Sequence, residues 1–246
     1  MLAPGLHPQA DGLVLWYALL DWLVGRRSCR PTLGFPPSAA SLLCCTENRT
    51  YQRGDTEVNK KQVRFTDFFA QTIQRMREDG LLLVSTGRDG KPNVMTIGWG
   101  TIGCIWSRPV FIVLVRPSRY TYSRLEQVSD FTVNVAPREI SEAVGICGTI
   151  SGRSYNKFEE AHLTPIPSRE VRSPIIQECV VHYECRTLQR NDLAPDALAQ
   201  AVREEFYPSE DFHRVYFGEI VAAYADEDAS TRLSAPGREQ GIGNRE

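Results

Sequence analysis

The sequence lacks a basic excess. Its 246 residues hold 28 Lys and Arg against 30 Asp and Glu, which gives a formal net charge of −2. Proteins that bind DNA or RNA usually carry a basic excess or a basic stripe, because they must neutralise phosphates. A nucleic-acid partner is therefore not expected. The 42% hydrophobic and 24% charged residues are ordinary for a globular protein of one large or two small domains.

The sequence also lacks paired cysteines and metal-ligand spacing. Its seven cysteines are an odd number, and no two of them form a C-x-x-C pair. Cys179, His182 and Cys185 lie on a predicted strand, where alternation puts the histidine on the opposite side from the two cysteines. Neither a disulfide framework nor a metal site is expected. The cysteines fit reduced, structural residues of a cytoplasmic protein.

Residues 1–57 lack the features of the chain that follows. Their apolar run over residues 13–24 is interrupted by Asp21 and falls short of the about 20 residues that cross a membrane. A signal peptide requires Lys or Arg ahead of its apolar run, and none precedes this one. We interpret residues 1–57 as a non-native or disordered extension, with translation starting at Val58 through a GTG codon. N-terminal sequencing of the protein from its native locus tests this, because peptides from residues 1–57 would refute it.

A glycine-rich hairpin carries the clearest functional signal. A buried strand, a polar turn and a returning strand are predicted over residues 81–99. Gly98, Gly100 and Gly103 surround Trp99, and a glycine inside a strand often marks the close approach of a ligand or another backbone. The composition suits a flat, partly polar ligand covered by an aromatic ring. An ordinary glycine-rich hairpin of a barrel is the alternative interpretation.

A polar turn after the next strand is a second candidate site. Pro117 ends the apolar strand predicted over residues 109–115, and a short helix is predicted over 121–128. Arg116 and Arg119 lie beside the hydroxyl groups at the start of that helix, a combination that suits a phosphate. A capped surface helix with solvated arginines is the alternative interpretation.

The remaining pattern predicts a mainly β fold. Many strands, few helices and no β-α-β alternation indicate an antiparallel β-barrel with peripheral helices. A charged tail over residues 229–246 is predicted to be disordered. Further strands are predicted over 131–135 (half buried), 175–188 and 215–224, and further helices over 66–77, 137–148 and 195–206.

Four motifs follow one another along the chain. They are Gly90–Thr96 with Trp99, Arg116–Thr121, Phe131–Val135, and Ser151-Gly152-Arg153 with Asn156–Phe158. In this order they resemble the flavin reductase-like proteins, the family that includes flavoredoxin. The resemblance covers about residues 63–226 and implies an FMN-binding split barrel for the domain over residues 58–228. It also implies a homodimer with the flavin near the subunit interface.

The resemblance also implies which residues hold FMN. Residues 93–96 would border the isoalloxazine ring, and Trp99 would pack near it. Tyr120 and Thr121 would meet the ribityl-phosphate end, and Lys157 would supply a cation near the phosphate or the electron-rich edge of the flavin. The predicted cofactor-binding residues are Asn93, Val94, Met95, Thr96, Trp99, Arg116, Tyr120, Thr121, Ser151, Gly152, Arg153 and Lys157.

Three functions remain open at this stage. The first is an oxidoreductase in which NADH or NADPH passes a hydride to FMN N5. The second is a flavoredoxin-type carrier that exchanges electrons with a redox protein partner, and the third is a protein that only binds or stores flavin. None of these functions requires a catalytic nucleophile–base pair, because the cofactor supplies the reactive chemistry. No such pair is evident in the sequence. No membrane partner is expected.

Overall fold

The computed structural model describes residues 60–234. The predicted extension over residues 1–57 therefore lies outside the described part of the chain, as do residues 235–246 of the predicted tail. Between these limits the protein is mainly β. Its strands are β1 (Lys61–Gln62), β2 (Leu81–Thr86), β3 (Pro92–Ile97), β4 (Gly100–Ile105), β5 (Arg108–Val115), β6 (Asp130–Val135), β7 (Pro165–Ile166), β8 (Ile175–Ile176), β9 (Val181–Asp192) and β10 (Arg214–Ala225).

The large sheet is antiparallel throughout and is not closed. Its strand order is β3-β2-β6-β9-β10-β5-β4, with β1 paired to β10, and β7 and β8 form a separate two-stranded ladder. The sequence neighbours β3 and β4 lie at opposite ends of the strand order. The prediction of an antiparallel β architecture with peripheral helices is confirmed, whereas the barrel remains open between these two strands.

The helices lie around the sheet and are short. The predicted helix over residues 195–206 is a 3-10 turn at Pro195–Ala197 followed by an α-helix, and the predicted disorder from residue 229 is wrong over its first six residues. Ala229 and Leu233 are buried there in the main core, which holds the segment as a helix. The α-helices are α1 (Phe69–Glu78), α2 (Tyr120–Leu125), α3 (Ser141–Thr149), α4 (Lys157–Glu160), α5 (Gln200–Phe206) and α6 (Ala229–Ser234).

Two groups of buried apolar side chains hold the sheet and helices together. The larger group contains Phe111, Phe131 and Tyr183, with the rings of Phe111 and Tyr183 5.4 Å apart. The smaller group packs β2 and β3 against α3 and α4, through side chains such as Val84 and Phe158. Burying each such side chain stabilises the fold by about 1.5–3 kcal/mol. The smaller group fixes α3 and α4 beside β3.

Strand β6 is buried on both faces, although its alternating sequence predicts a half-buried strand. The short strand β8 lies over the polar face, where the amide N–H of Ile176 donates to Asn134 Oδ1 at 3.1 Å. Thr132 Oγ1 donates to Pro174 O at 2.7 Å on the same face. These bonds satisfy the polar side chains, and so the polar face of β6 can be buried. The strand predicted over residues 175–188 is interrupted after Ile176 and forms two strands, β8 and β9.

No helix within residues 60–234 is long and apolar enough to cross a lipid bilayer.

Gly218 in β10 lies at a shift in register between β9 and β10, where a side chain has no space. A Cβ at this position would overlap the ring of Phe131 and come within 2.9 Å of Cys185 Cβ. We expect Gly218→Ala to lower the free energy of unfolding by about 1–3 kcal/mol, because an overpacked core forces strained side chains. Gly103→Ala in β4 is the matched control, since a Cβ there meets no atom within 4 Å. Urea unfolding measures both, and equal stability of the two variants would contradict this packing.

Candidate functional site

A cleft of about 490 Å³ opens at the end of the sheet where β3, the β5–α2 turn and the loop between α3 and α4 meet. The volume lies in the range of small-molecule sites. Every residue of the predicted set except Asn93 and Val94 lines it. Those lining residues are Met95, Thr96, Trp99, Arg116, Tyr120, Thr121, Ser151, Gly152, Arg153 and Lys157.

The β5–α2 turn forms one wall of the cleft. Strand β5 ends before Pro117, and the amide N–H of Arg119 donates to Arg116 O at 3.0 Å, which closes the turn. Asn93 Nδ2 donates to Thr121 Oγ1 at 2.7 Å and thereby ties the start of α2 to β3. Asn93 itself is buried behind this wall. Its amide therefore positions Thr121 rather than lining the cleft.

Arg116 is engaged by the segment that follows α5. Its guanidinium donates to Phe206 O at 2.9 Å and to Asp211 O at 3.4 Å, and it lies 5.2 Å from the centroid of the Tyr207 ring. Ser118 Oγ on the same turn donates to the Asp211 carboxylate at 2.5 Å. These contacts anchor residues 206–213 over the turn. Arg116 therefore has much of its hydrogen-bonding capacity occupied within the protein.

The loop after α3 forms the opposite wall and lies very close to β3. A Cβ on Gly152 would overlap the Asn93 side chain and come within 2.8 Å of the Tyr120 ring, so only glycine fits without a shift. The loop is closed by Ser151, whose carbonyl accepts from the amides of Ser154 and Tyr155, each at 3.1 Å. This turn brings Arg153 beside the β5–α2 turn, where its guanidinium donates to Ser118 O at 3.0 Å.

Lys157 is buried between the two walls and is only 7% exposed. Asn156 caps α4 by accepting from the amide of Phe158, and Lys157 Nζ donates to Cys147 O at 2.7 Å. Burial lowers the pKa of the Lys157 ammonium from its ordinary value, opposed by the nearby Cys147. Lys157 thus joins α4 to the end of α3 while lining the cleft.

The predicted strand residues divide between the cleft and the core. Val94 is fully buried in the smaller core group, so its side chain has no part in the cleft. Thr96 lines the cleft and donates through Oγ1 to Val144 O at 2.5 Å, which joins β3 to α3. Trp99 is 37% exposed, and its ring centroid lies 4.8 Å from that of His213 and 5.1 Å from that of Phe206.

Several lining residues were missed in the predicted set. Arg119 could have been included, because the sequence already marked it as a phosphate candidate. Leu114, Cys147 and His213 carry no local signal, since each reaches the cleft from a segment that the fold brings to β3. The cleft is completed by Leu114, Arg119, Cys147, His213, Ile97, Gly98, Ser118, Gly148, Thr149 and Ile150.

The spacing of Gly98, Gly100 and Gly103 matches G-x-G-x-x-G, the fingerprint of dinucleotide-binding β-α-β units. That fingerprint requires a helix immediately after the first strand. Here β4 begins at Gly100 and pairs antiparallel with β5. The match is therefore a coincidence of spacing. Gly98 instead lines the cleft, and a Cβ there would meet no atom within 4 Å.

The charged residues that line the cleft are basic. Arg119, Arg153 and Lys157 line it together with Arg116, and none of its lining residues within 60–234 is acidic. Burial raises the pKa of the Cys147 thiol to about 11, which keeps it protonated and a poor nucleophile at neutral pH. Within residues 60–234, no cluster of His, Cys, Asp and Glu is arranged to hold a metal ion.

An open antiparallel sheet with peripheral helices and a cationic cleft at one end defines a split-barrel protein. A flavin reductase-like enzyme from Shewanella baltica, described as an FMN-binding domain, has the same fold, with a TM-score of 0.50 and 18% identity over 68% of this chain and 78% of that one. The profile of the flavin reductase like domain matches residues 76–240. The protein belongs to this family.

Other relatives match parts of the chain. An uncharacterized protein of Archaeoglobus fulgidus is 37% identical over 99 residues, which are 40% of this chain and 55% of that protein. The match thus spans about half the length of that relative. Flavoredoxin of Desulfovibrio vulgaris is 25% identical with a TM-score of 0.49, over 60% of this chain and 69% of its own.

His213 is expected to stay neutral across the physiological pH range. Burial lowers its pKa from 6.5 to about 4, and the positive charge of Arg116 acts in the same direction. The unfolded chain therefore binds more protons than the folded protein between about pH 4 and 6.5, so that this group makes stability rise with pH in that window. NMR titration of the His213 C2 proton, assigned with His213→Asn, should give a midpoint near 4. A midpoint above 6 would contradict the buried placement.

Proposed function

We propose that this protein is an FMN-dependent oxidoreductase, in which NADH or NADPH passes a hydride to N5 of an FMN bound in the cleft. The observation that carries the proposal is the lining of the cleft. Basic residues from the β5–α2 turn, the α3–α4 loop and the start of α4 line it together with neutral residues along β3 and His213. FMN suits such a lining, because it combines an anionic phosphate with a flat ring.

The residues present fit the two ends of FMN. Arg119 makes no hydrogen bond or ion pair to another side chain within residues 60–234, and Arg153 lies on the facing loop, so both can donate to a phosphate. Gly98 leaves space along β3 for a flat ring, and Trp99 supplies an aromatic surface beside it. Bound there, FMN would supply the hydride and electron chemistry. The chain would bind and orient it and keep a positive charge near it.

Lys157 supports this assignment through its buried charge. A buried ammonium interacts more strongly with an anion than an exposed one, because the surroundings screen it less. Its position favours a ligand that gains negative charge on reduction. Lys157 also holds α3 to α4 through Cys147 O, so its removal would disturb the loop as well as the charge.

An electron carrier is the second candidate. Trp99 and Phe206 are each 37% exposed and pack together at the rim of the cleft. Exposed aromatic side chains beside a redox centre would give a protein partner an apolar surface for docking. A protein that only stores flavin would need neither a partner nor NAD(P)H.

We also propose that the protein is a homodimer whose second subunit covers the flavin. The cleft is open, so a flavin bound along β3 would leave apolar ring surface in contact with water. Covering that surface would stabilise the complex by about 25 cal/mol per Å² of apolar area buried. Closed twofold symmetry is the commonest way for a chain to cover such a surface. Sedimentation followed at the flavin absorbance tests this, because a stable yellow monomer would rule it out.

The three functions separate in one experiment. The protein is loaded with FMN, and the flavin absorbance is followed anaerobically after addition of NADH or NADPH. Bleaching within seconds to minutes at micromolar protein is expected for the reductase. If FMN binds but neither nucleotide bleaches it, while a low-potential protein donor does, the carrier is correct. If neither donor reduces bound FMN, both redox functions are wrong.

Arg119→Ala is expected to weaken FMN binding about tenfold or more. The substitution removes a charge-assisted hydrogen bond of about 1.5–3 kcal/mol to the ligand and breaks no side-chain hydrogen bond or ion pair within residues 60–234. Arg64→Ala is the matched control, because this exposed arginine pairs with Asp67 before α1 and does not line the cleft. Quenching of FMN fluorescence on titration measures both. Equal affinities for the two variants would place the phosphate elsewhere.

A further inference from the structure

Lys157 differs from the other three lysines of the chain in its surroundings. Lys60 is similarly buried, but its ammonium pairs with Asp226 Oδ1 at 2.7 Å. Lys61 and Lys91 are exposed to solvent. Lys157 is buried without an ion pair to a carboxylate among residues 60–234, and its side-chain hydrogen bond there goes to a backbone carbonyl. Because a buried charge without a counter-charge is costly, this position shifts the lysine toward its neutral form.

Lys157 lies where two clefts meet. It lines the cleft between β3 and the α3–α4 loop, the first cleft, and also a second cleft of about 810 Å³ that includes Tyr155. The lining of the second cleft contains Asp89 and Glu159, yet neither carboxylate pairs with Lys157 in the described part of the chain. Asp89 pairs with Arg124 instead, at 2.7 Å. The Lys157 side chain therefore borders open space on two sides and has no acidic partner on either.

Basic neighbours strengthen the preference for the neutral amine. Arg119 and Arg153 line the first cleft together with Lys157. Burial is the largest influence and lowers the pKa of the Lys157 ammonium, the nearby Cys147 opposes it, and the positive charge of Arg119 lowers the pKa further. A lysine that is desolvated beside another cation is the arrangement by which proteins make an amine nucleophilic toward carbonyl compounds.

The same basic residues suit a phosphate on such a carbonyl compound. Arg119 makes no hydrogen bond or ion pair to another side chain within residues 60–234. Arg153 donates through one guanidinium nitrogen to Ser118 O, which leaves it further N–H groups. Both can therefore donate to a phosphate while the amine of Lys157 meets the carbonyl group. The ligand that combines these features is a phosphorylated aldehyde.

We propose that Lys157 of the flavin-free protein captures a phosphorylated aldehyde as an imine. Nζ of the neutral amine attacks the carbonyl carbon, and a C=N bond replaces the C=O bond. The two amine protons leave with the carbonyl oxygen as water. The step needs no oxidant or reductant, and hydrolysis returns the lysine and the aldehyde.

FMN and the aldehyde exclude each other in this arrangement. The phosphate of the aldehyde takes the place that the proposed function gives to the phosphate of FMN, and this exclusion alone rests on the proposed function. With FMN bound, its phosphate would supply the counter-charge that Lys157 lacks. The amine would then stay protonated and unreactive.

Trapping with cyanoborohydride tests the proposal in the full chain, with pyridoxal 5′-phosphate as the probe. Peptide mapping by mass spectrometry compares the four lysines. Lys157 is expected to be labelled about tenfold or more faster than Lys61 and Lys91, because their exposed amines stay protonated at neutral pH. Lys60 shows the effect of burial with an ion pair and should be labelled least. Pyridoxal, which lacks the phosphate, should label Lys157 about fivefold or more slowly.

Two variants check the assignment of the reacting amine. Lys157→Arg keeps the positive charge but removes the nucleophile, so the absorbance of the imine should be lost. Lys61→Arg is the matched control and should retain it. Circular dichroism checks that each variant folds. The peptide map of the parent decides the matter if Lys157→Arg does not.

The outcomes separate the inference from the proposed function. Labelling of Lys157 no faster than that of Lys61 and Lys91 would overturn the inference, and so would equal rates with pyridoxal and its phosphate. Either result leaves FMN binding intact. Selective labelling of Lys157 in a protein that does not bind FMN would support the inference although the proposed function had failed. If FMN binds without slowing the labelling, FMN lies elsewhere, which contradicts its proposed place and leaves the capture by Lys157 standing.

Discussion

The contact between the loop after α3 and strand β3 is the constraint on which the candidate site depends. Gly152 lies so close to Asn93 and Tyr120 that a side chain at this position would overlap them. Asn93 in turn holds Thr121 at the start of α2. The closeness brings Arg153 to Ser118 and aligns two basic segments that are far apart in the chain. Without it the basic residues of the cleft would be divided between two separate surfaces.

The smaller core group supports this contact from behind. Val84, Val144 and Phe158 pack β2, α3 and α4 into one unit, and Lys157 joins the ends of the two helices through Cys147 O. The free energy that positions the loop therefore comes from apolar burial away from the cleft. Polar residues at the cleft surface are left to interact with a ligand. Arg119 is one such residue, whereas Arg116 is held by Phe206 and Asp211.

Much of the fold could be predicted because its strands have strong local patterns. The apolar run that forms β5 and the hairpin that forms β2 and β3 depend on neighbouring residues alone. The burial of β6 on both faces could not be predicted, because β8 covers it from more than forty residues away and supplies the partner of Asn134. Helix α6 was missed for a similar reason. Four of its six residues are polar, which favours disorder, and the core supplies the stabilisation through Leu233.

The sequence by itself determined the family resemblance, the antiparallel β architecture and half of the residues that line the cleft. These follow from short motifs whose order and spacing can be recognised without knowledge of the fold. Only the tertiary structure decided which arginines have donors free for a ligand, and that Val94 belongs to the core. It also brought Leu114, Cys147 and His213 to the cleft and opened the second cleft at Tyr155. The physical reason is that burial and hydrogen-bond partners depend on residues distant in the chain, which no local pattern encodes.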